Sequence, residues 1–181
     1  HPSPEELFSN GPHLATGAFE LGNPELESET GRSAEVSLRR QGERLEGEAA
    51  LFVNRFDDFI FQRFTGEERD GLDLFEYVQG DAEFWGGEAH ADVRLWHTDP
   101  HHLTLELEGD FVRATLVDED RPLPRIPPMR LAAGLRYGSG GWTATAKARR
   151  VLEQDRVADR EEPTPGSTMV DASVGYRFFT G

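Results

Sequence analysis

Without a cysteine, this chain of 181 residues has 6 histidines and 34 carboxylates as its main metal-binding groups. Imidazole with carboxylate oxygen is a donor set that suits Zn²⁺. Three places bring such groups together. His13 lies in "NGPHLATG", where the ordinary reading is a solvated loop histidine. His90 falls in "EAHAD" between Glu88 and Asp92, and strand alternation would put all three on one face. There the ordinary reading is a hydrogen-bonded histidine on a polar surface. His97, His101 and His102 crowd around Asp99 in "HTDPHH", which is metal-like by spacing but reads as a short solvated turn. The metal candidates are therefore His13 and His90, with Glu88 as a second donor beside His90. Glu67, Glu68 and Asp70 form an acidic loop cluster that would concentrate cations near it. No catalytic constellation is present. Ser, His and Asp occur without a nucleophile elbow, and "YGSGGW" is a strand turn, too short for a phosphate loop. The expectation is a protein that is not an enzyme and has no cofactor.

The elements that must position these groups are strands. In "ADVRLWHTDPHHLTLELEGDF", Ala91, Val93 and Leu95 alternate with Asp92 and Arg94, and Leu103, Leu105 and Leu107 with Thr104, Glu106 and Glu108. Period two makes this a β-hairpin with one apolar and one charged face. Similar alternation predicts strands over 33–40, 45–61, 77–96, 103–116, 129–137, 142–150 and a seventh around Val170, Ala172, Val174 and Tyr176. The only helical signal is a turn at "PEELF". The short connections "QGER", "HTDPHH" and "GSGG" alternate with longer polar loops near Gly66, Arg121 and Pro163. Strands in a meander, with short turns at one end and long loops at the other, are the pattern of a membrane barrel. Trp96, Tyr137, Trp142, Phe178 and Phe179 lie beside the short turns, where an interfacial girdle would sit. Periodicity alone leaves a second architecture open: a soluble barrel with the apolar face inside, binding a small apolar ligand.

Charge and length bound the options further. A net charge of −15 argues against nucleic acid as a partner, since phosphate binding needs a basic footprint. No stretch approaches the eighteen or more apolar residues of a membrane helix, which says nothing against strands that give lipid only alternate residues. The N-terminal "HPSPEELFSN" lacks the basic and apolar regions of a signal peptide, so the chain is expected to be mature, cytosolic or cut from something longer.

Three segments resemble a known family in order. "PSPEELFSNGPHLATGAFELGNPELESE" resembles the part of TonB-dependent outer-membrane receptors where an "ELY/ELF" piece precedes "GNPDLKPE" and a descending strand. "LFVNRFDDFIF" is similar to that family's next strand, aromatic-Asn-x-x-Asp-Asp-x-Ile, and "DASVGYRF" resembles a late barrel strand. "NGPHLATG" looks closest to the zinc-uptake (ZnuD-type) branch. Glu25, Glu27 and Ser28 depart from the family's usual Asp, Lys and Pro. The resemblance implies an all-β fold: an antiparallel up-and-down transmembrane β-barrel segment of about seven strands, residues 1–181 being part of a larger barrel. It implies the bacterial outer membrane, a lipid bilayer around the apolar face, and a transported metal ion or metal chelate, with zinc favoured as substrate. The implied partners are the remaining barrel strands, the plug domain and, through the plug, the TonB complex. Leu105, Leu107, Val93 and Leu135 would then face lipid, while Glu106, Asp92 and Arg136 face the lumen.

Overall fold

The computed structural model describes residues 1–178. The opening helix α1, Pro4–Phe8, is a single turn held by a capping box between Ser3 and Glu6. Ten strands follow: β1 (Asn10–His13), β2 (Ala18–Leu21), β3 (Thr30–Arg40), β4 (Leu45–Arg69), β5 (Leu72–Thr98), β6 (His101–Leu116), β7 (Arg121–Pro122), β8 (Arg130–Ser139), β9 (Trp142–Val151) and β10 (Ser167–Tyr176). The seven long ones pair as an antiparallel meander in the order β3-β4-β5-β6-β8-β9-β10. The sheet is not closed: β3 and β10 each pair along one side only among the described residues.

All seven expected strands are present, and two are much longer than alternation suggested. The segment around Gly66, expected to be a polar loop, continues the β4–β5 hairpin to a tight turn at Asp70 and Gly71. Both turn residues have positive φ, 55° and 78°, as the Asp-Gly turn favoured between twisted strands requires. Short turns and long loops therefore do not alternate strictly. The short hairpin β1–β2 had no clear signal. It leans on the extended hairpin, β2 pairing parallel to β5 from Ala18↔Asp73 to Leu21↔Glu76.

Register puts the two faces beyond ambiguity. Leu105 is opposite Val93 and Leu135, and Leu107 is opposite Ala91 and Ala133, all on one face. Glu106 is opposite Asp92 and Gly134 on the other. Leu105 and Leu135 are neighbours on an open surface, not partners in a closed core. A bulge at Leu95 changes the phase of β5, so that Trp96 joins Leu103 on the apolar face.

The second bulge explains the "RFDDFIF" motif. Phe56 pairs with Ala82 but Phe59 pairs with Gly80, so one residue is extra, and Asp58 takes the left-handed conformation at φ 58°. The shift carries Phe56, Phe59 and Phe61 to the same face, which strict alternation forbids. There they pack on Ala82, Ala114, Leu116 and Phe84, under Leu123 and Ile126 from the loop between β6 and β8. This cluster is the main core, and it lies on the face that carries the charges further along the strands.

Candidate functional site

The apolar face is a continuous belt. On successive strands it presents Val36 and Leu38, then Leu51 and Val53, Ala89 and Val93, Leu105 and Leu107, Ala133 and Leu135, Ala146 and Ala148, and finally Val170 and Val174. Val36 is 76% exposed, Leu51 64% and Val174 72%. A contiguous apolar surface on this scale is a liability in water and normal against lipid. Aromatic rows bound it. At the short-turn end Trp96 stacks on His101, His101 on Tyr137, and Trp142 packs on Tyr176, which meets Phe178. Phe179, expected in the same girdle, lies outside the described residues. At the other end Trp85 meets Phe111 edge-on at 5.4 Å. From Trp85 to Trp96 is eleven residues of strand, about 36 Å at ~3.3 Å each. Tilted by about 40°, as in a membrane barrel, that is ~28 Å of height, close to the hydrocarbon thickness of a bilayer.

The opposite face carries a ladder of ion pairs towards the short-turn end. Arg39 holds Glu48 at 2.6 Å, Lys147 holds Glu108 at 2.7 Å, Arg149 holds Asp171 at 2.7 Å and Arg130 holds Asp110 at 3.0 Å. Arg136 bridges Asp92 and Glu106. Lys147 reaches Glu108 across β8, where the glycine at 134 leaves the path open. Cross-strand pairs of opposite charge are the natural filling of a wet lumen.

The histidines separate into three environments. His90 stands in this ladder, in register with Glu48 and Glu108, and Glu88 shares its face two residues away. His13 ends β1 at the long-loop end. Its Nδ1 lies 3.0 Å from Glu20 Oε1 and 3.1 Å from Thr16 Oγ1. The Tyr77 hydroxyl donates to the other Glu20 oxygen at 3.3 Å. Tyr77 belongs to the hairpin beyond the last β5 residue paired with β6, and burial, aided by the Glu20 carboxylate, pushes its phenol above the usual value. Both hydrogen-bond contacts of the His13 ring use Nδ1. His13 is level with Ala18 and so with Asp73, seventeen residues along β5 from His90. At ~3.3 Å per residue they stand about 55 Å apart and cannot share an ion. Among the described residues, no group of three or more His, Asp or Glu side chains is gathered for a metal. The third set divides by face: His101 stacks in the aromatic girdle with Nδ1 2.7 Å from the Tyr137 hydroxyl, whereas the His102 ring lies over Gly138 on the charged face.

One further site is formed only by residues distant in sequence. A cleft of about 690 Å³ opens at the long-loop end, lined in part by Phe59, Phe64, Tyr77, Arg125 and Arg160. The loops are tied into it by Arg121–Asp159 at 2.8 Å, Arg160–Asp73 at 2.6 Å and Arg125 to Gln62 Oε1 at 2.9 Å. Arg156 donates to the Ala114 carbonyl and to Thr115 Oγ1, both at 2.8 Å, covering the edge of β6 where β8 has ended. The signal available in sequence was the arginine content of the loops, set against an acidic chain.

Comparison with known proteins agrees with this geometry. Among solved structures, the chain is similar to the copper transporter OprC, with TM-score 0.83 and 24% identity over 98% of this chain and 27% of that one. It is also similar to the FrpB iron transporter from Neisseria meningitidis (F3-3 variant), with TM-score 0.59 and 14% identity over 88% of this chain and 26% of that one. At these identities the likeness is one of fold, and the chain spans about a quarter of each relative's length. A family model described as TonB dependent receptor-like, beta-barrel matches residues 1–180. With its seven-stranded meander, its lipid-scaled belt and a family match along nearly its whole length, this chain belongs to the TonB-dependent receptor-like β-barrel family.

Proposed function

We propose that these residues form part of the wall and the extracellular loops of an outer-membrane receptor that takes up a metal ion or metal chelate. TonB-dependent receptor barrels are bacterial outer-membrane proteins, and the family transports rather than catalyses. The intact receptor would supply the other barrel strands, a plug domain within the lumen, and contact with the TonB complex through that plug. In this orientation the short turns face the periplasm and the extended β4–β5 hairpin faces the medium. The names of the two structural relatives, a copper and an iron transporter, support metal as the substrate class.

Zinc, through a ZnuD-like uptake branch, is the finer reading, and one observation carries it. His13 has a carboxylate on Nδ1, the arrangement by which proteins orient an imidazole towards a metal. Imidazole with carboxylates and no thiolate suits Zn²⁺. His13 would bind at the mouth, and His90 with Glu88 would offer a second, weaker stop in the lumen. The remaining ligands would come from the rest of the receptor. The test is metal titration of the whole receptor and its His13→Ala, Glu20→Gln and His90→Ala variants. Loss of about 10–100-fold in zinc affinity is expected for Glu20→Gln, as for other outer-shell partners, and at least as much for His13→Ala. Unchanged zinc affinity in all three variants removes zinc. Weakening of copper or iron-chelate binding alone would reassign the substrate within the same receptor.

A further inference from the structure

The outward face ends differently at its two rims. Following each strand's outward residues away from the short turns, the apolar series stops at a charge on five strands. β3 runs Leu38, Val36, Ala34 and then Arg32, while β4 runs Leu51, Val53 and then Arg55. β5 ends at Trp85 and then Glu83, and β6 at Phe111 and then Arg113. β9 runs Ala146, Ala148 and then Arg150. Four of the five are arginines, in a chain of net charge −15. At the short-turn rim the outward residues are mostly aromatic, with Arg40 as the outward arginine.

Two of the four arginines are neutralised where they stand: Arg32 pairs with Asp57 at 2.9 Å and Arg55 with Glu83 at 2.7 Å. The other two are not. Arg113 lies over the Trp85 ring at 5.9 Å, and Arg150 donates to Thr168 Oγ1 at 3.0 Å; neither makes an ion pair among the described residues. Both are exposed. A guanidinium at the edge of an apolar belt extends its stem along the belt and its fork into the headgroup layer. That fork matches phosphate in a bidentate way.

We infer that Arg113 and Arg150, the two rim arginines without an ion-pair partner among the described residues, grip phosphate groups of the phosphorylated glycolipid in the outer leaflet. The inference rests on the membrane orientation proposed above. The commitment to the outer leaflet follows from the asymmetry, since the long-loop rim has four outward arginines and the short-turn rim only Arg40 among the described strand residues. Trp85 and Phe111 directly below would hold the first methylenes of the acyl chains.

The experiment uses the whole receptor in mild detergent, with native mass spectrometry as the readout and diphosphoryl lipid A, its monophosphoryl form and phosphatidylglycerol as probes. The Arg113→Gln/Arg150→Gln double variant is expected to hold diphosphoryl lipid A about tenfold more weakly. Arg40→Gln should bind it as the parent does, and the monophosphoryl form should lose most of the difference. The Arg113→Lys/Arg150→Lys variant keeps the charge and is expected to bind at an intermediate level, which guards against a fold defect in the Gln variant. A heat-modifiable, folded barrel whose double variants retain full lipid A binding overturns the inference, as does equally tight phosphatidylglycerol. Failure of the parent to behave as a detergent-requiring barrel would instead sink the membrane reading itself.

Discussion

The inner face changes character halfway along the strands. From the short turns up to Glu88 and Asp110 it is a ladder of opposite charges, every one of these side chains keeping at least a quarter of its surface exposed. Beyond Gly86 and Val112 the same face becomes Phe56, Phe59, Phe84, Ala82, Ala114 and Leu116, closed over by Leu123. The outer face changes only at its rims. The difference follows from what each surface meets. Lipid requires uniform apolarity along its whole depth, whereas a lumen accepts charge where it is wet and aromatic packing where a loop can fold over it. The charged half suits a wet interior; the aromatic half fixes the loop carrying Leu123 and Ile126 at the long-loop end.

Substitutions can break or sharpen this contrast. The largest effect is expected on the outer face: Leu107→Arg, opposite Ala91 near the middle of the belt, should destabilise the folded receptor by about 2–4 kcal/mol in urea unfolding from vesicles. Its inner-face neighbour gives the control, because Glu106→Gln should leave the unfolding midpoint close to the parent's. Next comes the aromatic half. Ala114 is fully buried, so Ala114→Leu should overpack the site and lose about 1–3 kcal/mol, with faster proteolysis of the loop between β6 and β8. The bulge that builds this half offers a third test. Asp58 has φ 58°, and Asp58→Val should cost about 1–3 kcal/mol, whereas Asp58→Gly should be nearly neutral. Equal behaviour of the two would mean that the phase shift does not need the left-handed residue. The smallest effect belongs to the ladder, where Arg136→Ala should cost only about 0.2–1 kcal/mol, since its pairs with Asp92 and Glu106 are solvated. A loss as large as that of Ala114→Leu would show a dry inner face and erase the contrast.

Much of the sheet was legible because membrane strands announce themselves by alternation. Leu103, Leu105 and Leu107 against Thr104, Glu106 and Glu108 are enough to assign faces, and period two allows no other partition. The capped turn at Pro4–Phe8 and the turn at Gly140 and Gly141 were equally local. Legibility failed where phase was broken or where packing came from far away. "FDDFIF" reads as strand but not as a bulge, so the convergence of Phe56, Phe59 and Phe61 was invisible. The extension of β4 and β5 past Phe61 was hidden because its residues are polar and belong to a hairpin above the membrane, where no lipid enforces a pattern.

The site divides in the same way. Composition marked histidine and carboxylate as the chemistry, and strand parity put His90 beside Glu88. That His13 shares a hydrogen-bonded chain with Glu20 and Tyr77 depends on β1 folding onto β2 and β2 onto β5, across more than fifty residues. The cleft with Arg125 and Arg160 depends likewise on loops meeting a distant hairpin. Local alternation, being set by the geometry of one strand and the solvent on each side, was written in the residues themselves. Which loop meets which strand is a matter of long-range closure, and it was settled only by the packing of the Phe56–Phe84–Leu123 cluster and the pairing of β2 with β5.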